Sequence, residues 1–419
     1  MTEKIKANIN NPEELERLYR ENKKSFESDF EKIYPEIEAT EMAKFWKSRL
    51  DFGKTLAKTS ISFSRDVFIM IVICLAAGFL IKIPDLFNIN VTTFHFYEKE
   101  TGIIFFMGLS FYTVAINKGF SKRNVLITIL AFLISAVYIN LLPDVSTSAS
   151  IKLVYIHMPL LMWCLFGMVY TNYDLKDLTK RVDYIKHNGD LAIMGVLIII
   201  TGGMLMATSI GIFQAIGIHV EKIYQNYIMV IGSVAAPVLT SFILKNYATF
   251  TNKLAPILAN IFSPLVLLTL IIYLIEIPLS GKDPYNDRDF LLIFNVMLIC
   301  VMAIIVFSVS ETAMMRKQKF SEIVLFLLSI VTLIINLIAL SAIFYRLGHF
   351  GLTPNRLAIL GSNILVFINL LLISIELFKI GFRDSDTEKV NLTISKYIPV
   401  YLVWVLIVVF LFPVIFGMN

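Results

Sequence analysis

Charged residues are what this sequence has least of. Only 16% of its 419 residues are charged, whereas 57% are hydrophobic, and the mean hydropathy is +0.74. A soluble domain usually has about 25% charged residues. Most of the folded surface therefore cannot face water, and the composition indicates an integral membrane protein.

Cysteine and histidine are also scarce. The three cysteines, Cys74, Cys164 and Cys300, lie far apart in apolar runs, so they predict neither a disulfide framework nor a metal cluster. The five histidines show neither H-x-x-x-H nor H-E-x-x-H spacing, and Walker, G-x-G-x-x-G and G-x-S-x-G motifs are absent. We expect no catalytic residue, no metal and no cofactor, and the pattern favours a function other than catalysis.

Long apolar runs dominate what remains. A membrane-spanning helix needs about 20 apolar residues, because every backbone polar group must be satisfied within the segment. The sequence predicts an all-α polytopic bundle of about eleven spans over residues 66–419, preceded by a short helical cytoplasmic segment over residues 1–65. The expected spans are 67–83, 101–116, 123–142, 151–170, 190–213, 223–244, 254–275, 290–309, 323–345, 357–378 and 397–416.

The distribution of lysine and arginine predicts the orientation of these spans. Cytoplasmic loops are enriched in Lys and Arg, and with the N-terminus inside only eight of the 37 fall on the outer side. Omitting the short span 101–116 would reverse this bias. We therefore expect a multi-pass protein of the inner (cytoplasmic) membrane with a cytoplasmic N-terminus and an outer C-terminus. The basic residues form no aromatic-interleaved patch, so we expect no nucleic-acid partner.

Residues 1–65 are polar enough to lie outside the membrane. Asn11 followed by Pro12 is typical of a helix N-cap with proline at the first helical position. We expect Pro35 to end this helix and a second, basic helix to begin near Glu41. Two roles stay open: an amphipathic hairpin in contact with membrane lipids, or a docking site for a cytoplasmic protein within residues 1–60.

Polar residues inside the expected spans are candidates for a functional site, because lipid exposure costs them free energy. Ser329, Thr332 and Asn336 share one helical face, and Ser362, Asn369 and Glu376 share another, so the two faces can contact each other. For Asn336 and Asn369 we expect interhelical hydrogen bonds. The intramembrane candidates are Asn260, Asn336, Asn369 and Glu376.

Glycine and proline interrupt the expected spans 190–213, 223–244 and 254–275. Such interruptions are typical of discontinuous transporter helices. Small residues also let helices pack closely in lipid. Both interpretations stay open at this point.

Residues 345–356, YRLGHFGLTPNR, place positive charge on the expected outer side, where it is otherwise rare. Gly348 and Gly351 predict the end of one helix, and Thr353 with Pro354 predicts the start of the next. A helix N-terminus favours anions, and a guanidinium binds phosphate or carboxylate through two parallel hydrogen bonds. The candidate ligand-binding residues are Arg346, His349, Thr353, Asn355 and Arg356.

Three interpretations of the two arginines stay open. They can bind an anion or a lipid headgroup, or they can snorkel to the outer membrane surface beside a well-capped helix. Alternatively, Arg346 can form an internal ion pair with Glu276 or Asp289.

The same segment carries a family resemblance. An arginine followed after four residues by G-L-T-x-N-R resembles a family of uncharacterised bacterial multi-pass membrane proteins, a domain of unknown function. Support comes from the C-terminal run 397–417 and from the N-terminal LYRENKKSFESDFEKIYPEI and FWKSRLDF, whereas His349–Phe350 departs from the acidic or polar residue expected before an aromatic one. The resemblance implies an inner-membrane location and no established reaction. Its motif residues are Arg346, Gly351, Leu352, Thr353, Asn355 and Arg356.

Two functions follow as expectations. The first is a transporter or carrier for a small anionic or lipid-like ligand, which a polar cavity within the bundle would favour. The second is a membrane scaffold or sensor whose N-terminal segment docks a cytoplasmic partner, which an exposed patch on residues 1–60 would favour.

Overall fold

A computed structural model gives the architecture of the chain. It describes residues 1–87, 89–91, 94–117, 119–143, 148–174, 176–215, 219–279, 285, 288–312, 319–383 and 388–418. Within the helices, its description of side chains leaves out residues 23–24, 51–64, 212, 215, 248–260, 276, 288–294, 310–312, 319 and 383. Over these ranges every regular element is helical and none is a strand.

The helices follow one another with short connections. π-Helical turns at Tyr224–Met229 and Ile407–Leu411 join α10 to α11 and α16 to α17. The α-helices are α1 (Thr2–Ala7), α2 (Pro12–Glu21), α3 (Lys23–Ile37), α4 (Glu41–Ile81), α5 (Ile83–Leu86), α6 (Phe96–Ile116), α7 (Lys122–Leu141), α8 (Ala149–Tyr170), α9 (Leu178–Ala215), α10 (Glu221–Ile223), α11 (Val230–Asn246), α12 (Ala248–Leu279), α13 (Arg288–Thr312), α14 (Lys319–Phe350), α15 (Pro354–Arg383), α16 (Glu388–Leu406) and α17 (Phe412–Phe416).

Two compact units make up the chain. The N-terminal unit is Met1–Phe68 and the membrane unit is Ile69–Asn419, so the division falls within α4. In the N-terminal unit the predicted cap is present, because the Asn11 side chain accepts a hydrogen bond from the Glu14 N–H at 3.3 Å. A second cap at Asn22, which accepts from the Ser25 N–H at 3.1 Å, begins a new helix where the sequence predicted one continuous helix.

The N-terminal unit has a hydrophobic core of its own. The break expected at Pro35 comes two residues later, where α3 ends at Ile37. Apolar residues of α1, α2, α3 and the beginning of α4 pack against one another, so these amphipathic faces are covered within the unit. The buried core residues are Ile5, Leu15, Leu18, Phe26, Phe30, Ile33, Ile37, Ala43, Trp46 and Leu50.

The membrane unit contains helices suited to a bilayer. Within the part of the chain that the structure describes, nine helical segments are long and apolar enough to cross a membrane, and they include Phe96–Ile116 at the short second span. The expected span 67–83 begins within α4, and in the expected span 290–309 the described apolar helix, Asn295–Val309, is shorter. The chain is thus an all-helical multi-pass membrane protein, and the number eleven stays a prediction.

Two clusters form most of the interior of the membrane unit. The larger joins α12 to α16, with α14 and α15 packed side by side, and the smaller joins α6, α7, α8 and the C-terminal end of the chain. Only residues 351–353 connect α14 to α15. This tight hairpin carries the motif that the sequence singled out.

Candidate functional site

The hairpin loop is shorter than the sequence predicted. Helix α14 continues through Gly348 to Phe350, so Arg346 and His349 lie on its last turns and not in a loop. Gly351 ends the helix with φ at 73°, a backbone conformation that glycine adopts readily. Its N–H donates to the Leu347 carbonyl oxygen at 3.1 Å.

The start of α15 follows the predicted capping pattern. The Thr353 hydroxyl oxygen accepts a hydrogen bond from the Arg356 N–H at 3.4 Å, and Pro354 occupies the first helical position. The Leu357 N–H donates to the Thr353 carbonyl oxygen at 3.0 Å. The capped first turn of α15 fixes the backbone position from which the Arg356 side chain extends.

Arg356 closes the hairpin. Its Nη1 donates to the carbonyl oxygens of Phe350 at 2.6 Å and Gly351 at 2.7 Å. Carbonyls at a helix C-terminus lack partners within the helix and carry partial negative charge, so a guanidinium there is favourable. Arg356 is therefore a clamp on main-chain atoms, which none of the three sequence interpretations foresaw.

Arg346 is in a different situation. Its Nη1 is buried and has no hydrogen-bond partner. Its guanidinium carbon lies 5.9 Å from the centre of the Phe350 ring, and that of Arg356 lies 5.5 Å from the same centre, which gives both arginines a cation–π contact. Over the described residues, neither arginine has a carboxylate within ion-pair distance. The side chains of Glu276 and Asp289 lie outside that description.

His349 and Asn355 are two further candidate ligand-binding residues of the motif. The His349 ring lies 4.4 Å from the Tyr345 ring, centre to centre, and Tyr345 also contacts Tyr285. Asn355 is exposed in the first turn of α15. The structure thus gathers Arg346, His349 and Arg356 around one exposed aromatic ring, an arrangement typical of a membrane–water interface.

Deeper in the hairpin, α14 contacts α15 through a polar face. Asn336 Nδ2 donates to the Asn363 carbonyl oxygen at 3.2 Å, and Asn363 Nδ2 donates to Asn295 Oδ1 on α13 at 2.7 Å. The Ser374 hydroxyl donates to the Ser329 hydroxyl oxygen at 2.8 Å. Ser329 and Asn336 of the predicted face therefore contact α15, although their partners there are residues that the sequence did not single out.

The second predicted face points elsewhere. Asn369 Nδ2 donates to the Tyr401 hydroxyl at 2.9 Å, and Trp404 Nε1 donates to the Ser362 hydroxyl at 3.3 Å, so this face contacts α16 and not α14. Glu376 accepts from Lys379 on its own helix at 2.7 Å. The side chain of Asn260 lies outside the described residues.

Glu322 belongs to the polar face of α14 and was missed at the level of sequence. It is 4% exposed, and its Oε1 has no hydrogen-bond partner. Glu322, Ser329 and Asn336 are spaced by seven residues, as are Ser362, Asn369 and Glu376 on α15, so the spacing alone could have identified Glu322. Within the described residues no group of three His, Cys, Asp or Glu side chains can hold a metal ion.

The glycine-rich stretch of α9 does not pack as small residues in helix interfaces do. A Cβ placed at Gly202, Gly203 or Gly211 would have no heavy atom of the described structure within 4 Å. The neighbouring apolar side chains Ile199, Ile200 and Met204 are exposed as well. Close packing against the described part of the chain therefore does not explain these glycines.

The N-terminal unit contains an open groove of about 640 Å³. Phe45 at its edge is 58% exposed, whereas the neighbouring Trp46 is 2% exposed and belongs to the core. The groove thus combines an exposed aromatic ring with charges of both signs. It is lined by Pro12, Glu13, Glu16, Arg20, Met42, Phe45, Trp46 and Arg49.

Glu16 organises the charges of this groove. It accepts a hydrogen bond from Arg20 Nε at 2.8 Å and pairs with Arg49 Nη1 at 2.8 Å. These contacts, that with Arg20 first, lower the pKa of the Glu16 carboxyl below its ordinary value. The Arg49 guanidinium carbon also lies 4.7 Å from the centre of the Trp46 ring. The ion pairs therefore connect the groove to the core beneath it.

Fold and sites together define a class: a helical multi-pass membrane protein with a guanidinium pair at the tip of one hairpin and a separate helical N-terminal unit. No family model, no curated protein and no solved structure matches this chain. The function of this chain is therefore inferred from its own residues.

Proposed function

We propose that this protein is a carrier or transporter of the inner (cytoplasmic) membrane that binds a small anionic or lipid-like ligand at the α14–α15 hairpin. The observation that supports the proposal is Arg346 Nη1, which is buried without a hydrogen-bond partner on a guanidinium that shares the Phe350 ring with that of Arg356. A buried charged donor without a partner costs free energy. An anionic group at this place would remove that cost.

The chemistry of the hairpin favours a phosphate or a carboxylate. A guanidinium presents donors in a planar fork that matches both groups. Arg356 keeps the tip of the hairpin closed, so we assign ligand binding mainly to Arg346. His349, Thr353 and Asn355 would form the rim of the site. The exposed rings of Tyr345 and Phe350 suit acyl chains or the membrane interface.

The proposed site predicts different results for the two arginines. Native mass spectrometry of the detergent-purified protein should detect an anionic ligand in the wild type and in Arg123→Ala, which removes an exposed arginine elsewhere. Arg346→Ala should bind the ligand at least about tenfold more weakly, the effect of one lost charged contact, and its melting temperature without ligand should not fall below that of the ligand-free wild type. Arg356→Ala should lose both ligand and thermal stability, because α14 loses its C-terminal clamp.

Two results would contradict the site. One is a wild type that never carries an anion, with Arg346→Ala merely unstable. The other is an anion that Arg346→Ala retains in full. Phosphate added to delipidated protein distinguishes a soluble ligand from a phospholipid, because only the soluble ligand rebinds without lipid.

The proposal includes the orientation of the chain. The excess of Lys and Arg in one set of loops supports eleven spans, with the N-terminus in the cytoplasm and the C-terminus outside. A reporter that is active only in the cytoplasm should stay inactive when fused after Asn419. The same reporter inserted between Tyr173 and Asp174 should be active, and the reverse result would exclude this orientation.

A membrane scaffold or sensor is the second candidate. It is supported by the groove beside Phe45, together with a core that covers the apolar helix faces of the N-terminal unit and leaves them unavailable to lipid. A cytoplasmic protein partner would then bind residues 1–60. Trp46→Ala, which disrupts the groove and leaves the hairpin unchanged, separates the two candidates. A carrier keeps its ligand in this variant, whereas a scaffold loses its function.

A further inference from the structure

The interior of α14 to α16 is rich in hydrogen-bond acceptors that have no donor. Four buried side-chain oxygens there have no partner, and each belongs to a residue at most 4% exposed. In the described parts of these helices, the only buried side-chain nitrogen without a partner is Arg346 Nη1 at the hairpin tip. The other buried side-chain atoms that lack a partner there are therefore oxygens. The four oxygens are Glu322 Oε1, Asn336 Oδ1, Asn369 Oδ1 and Asn391 Oδ1.

Two of these oxygens lie on the face of α14 that contacts α15. Glu322 and Asn336 are fourteen residues apart, about 21 Å along a helix at 1.5 Å per residue. Ser329 and Thr332 lie between them on the same face, and both are fully buried. Their hydroxyls donate to carbonyl oxygens of α14, at 2.7 Å to Phe326 and 2.6 Å to Leu328. The Ser329 oxygen also accepts a hydrogen bond from Ser374, so the Thr332 oxygen is the one of the two whose lone pairs have no donor.

The orientation of the Asn336 amide follows from its partner. Its Nδ2 donates to the main-chain carbonyl oxygen of Asn363, which can only accept. Oδ1 must therefore be the free atom, and Asn336 is fully buried. Thr332 lies one helical turn away, so the Thr332 hydroxyl oxygen and Asn336 Oδ1 are neighbours on one face.

Neutral oxygens select the kind of ligand. Amide and hydroxyl oxygens are ligands of hard cations, and main-chain or side-chain carbonyls replace the hydration shell of sodium and potassium in membrane proteins. A divalent ion would need carboxylates to offset its charge, and no described carboxylate pairs with Asn336.

We propose that the α14–α15 interface binds a small monovalent cation, with Asn336 Oδ1 and Thr332 Oγ1 as ligands. The site does not include Arg346 or Arg356, so it can be tested independently of the proposed anion site.

Thermal unfolding of the detergent-purified protein tests the cation site. The melting temperature is recorded while sodium chloride or potassium chloride replaces choline chloride at constant ionic strength. We expect at least one of the two cations to raise the melting temperature in a saturable way, because a ligand that binds only the folded state stabilises it. Asn336→Leu and Thr332→Val should each raise the apparent dissociation constant at least about tenfold, the effect of one lost ligand.

A control at a half-buried asparagine separates cation binding from the loss of an interhelical amide. Both amide atoms of Asn188 have partners, since Oδ1 accepts from Trp163 Nε1 at 2.9 Å and Nδ2 donates to the Tyr184 carbonyl oxygen at 2.6 Å. Asn188→Leu should therefore keep the wild-type cation response, even at a lower melting temperature. If Asn336→Leu does not fold, Thr332→Val, which conserves the shape of the side chain, tests the cation site by itself.

Either of two results would overturn the proposal. The first is a melting temperature that does not distinguish sodium and potassium from choline, which means that the oxygens are solvated by water alone. The second is an unchanged cation affinity in Thr332→Val and Asn336→Leu. Loss of anion binding in Arg346→Ala has no bearing on either result.

Discussion

Replacing Trp46 with alanine is expected to unfold the N-terminal unit. A buried tryptophan replaced by alanine costs about 3–5 kcal/mol. A domain of this size has a total stability of only about 3–10 kcal/mol, at 0.05–0.15 kcal/mol per residue. One substitution thus removes a large fraction of the free energy that keeps the unit folded.

The position of Trp46 explains the size of this effect. Its side chain is 2% exposed, and its ring centre lies 5.0 Å from that of Phe26 and 5.4 Å from that of Tyr19. It also supports the guanidinium of Arg49 at the edge of the groove. Alanine would leave a cavity between α2, α3 and α4 and would release the arginine that pairs with Glu16.

Hydrogen exchange of the intact protein measures this outcome by region. Amides of residues 12–50 should lose most of their protection in Trp46→Ala, whereas those of α14 and α15 should keep theirs because the membrane unit has separate cores. Phe45→Ala is the matched control. The ring of Phe45, the residue before Trp46, is 58% exposed, so its removal should change amide protection little. Wild-type protection in Trp46→Ala would show that the core described for this unit is wrong.

Gly102→Ala is expected to destabilise the membrane unit by about 1–3 kcal/mol, the usual cost of overpacking a well-packed interface. A Cβ at Gly102 on α6 would lie 2.6 Å from Cγ of Pro159 on α8 and 3.1 Å from its Cα. A proline ring and main-chain atoms cannot rotate away, so the two helices would have to separate.

Gly203→Ala provides the contrast for Gly102→Ala. It makes the same change in a helix interior, but a Cβ there meets nothing within 4 Å of the described structure. Alanine favours the helix over glycine by about 0.5–1 kcal/mol, so stability should stay equal or rise slightly. Thermal unfolding in one detergent compares the two variants. Equal melting temperatures for both would contradict the close approach of α6 and α8.

Local chemistry let the sequence predict much of this fold. Asn11–Pro12 and Thr353–Pro354 start helices where their caps predict, because a cap satisfies N–H groups of its own first turn. The Asn22 cap was equally local and was overlooked. Apolar length likewise predicted nine helices that the described structure contains.

Contacts between residues far apart in the chain could not be predicted from local sequence patterns. The partners of Asn336 and Asn369 depend on how α14, α15 and α16 rotate about their axes, and that rotation is decided by all packed side chains together. Ser362 and Asn369 share one face of α15, as the sequence predicted. The predicted contact of that face with α14 is wrong, since both residues form hydrogen bonds with α16. The close approach of Gly102 to Pro159 depends on packing in the same way.

The sequence by itself determined that this protein is helical, belongs in a membrane and carries two arginines at a hairpin tip, because hydropathy and helix capping act over a few residues. Tertiary structure alone decided which of the two guanidiniums has a buried donor without a hydrogen-bond partner. Arg356 reaches back to the carbonyls of Phe350, the last residue of α14, and of Gly351, whereas Arg346 Nη1 is buried without a partner. That difference arises because helix α14 runs to Phe350 and leaves only three residues for the turn, which brings both guanidiniums to one aromatic ring.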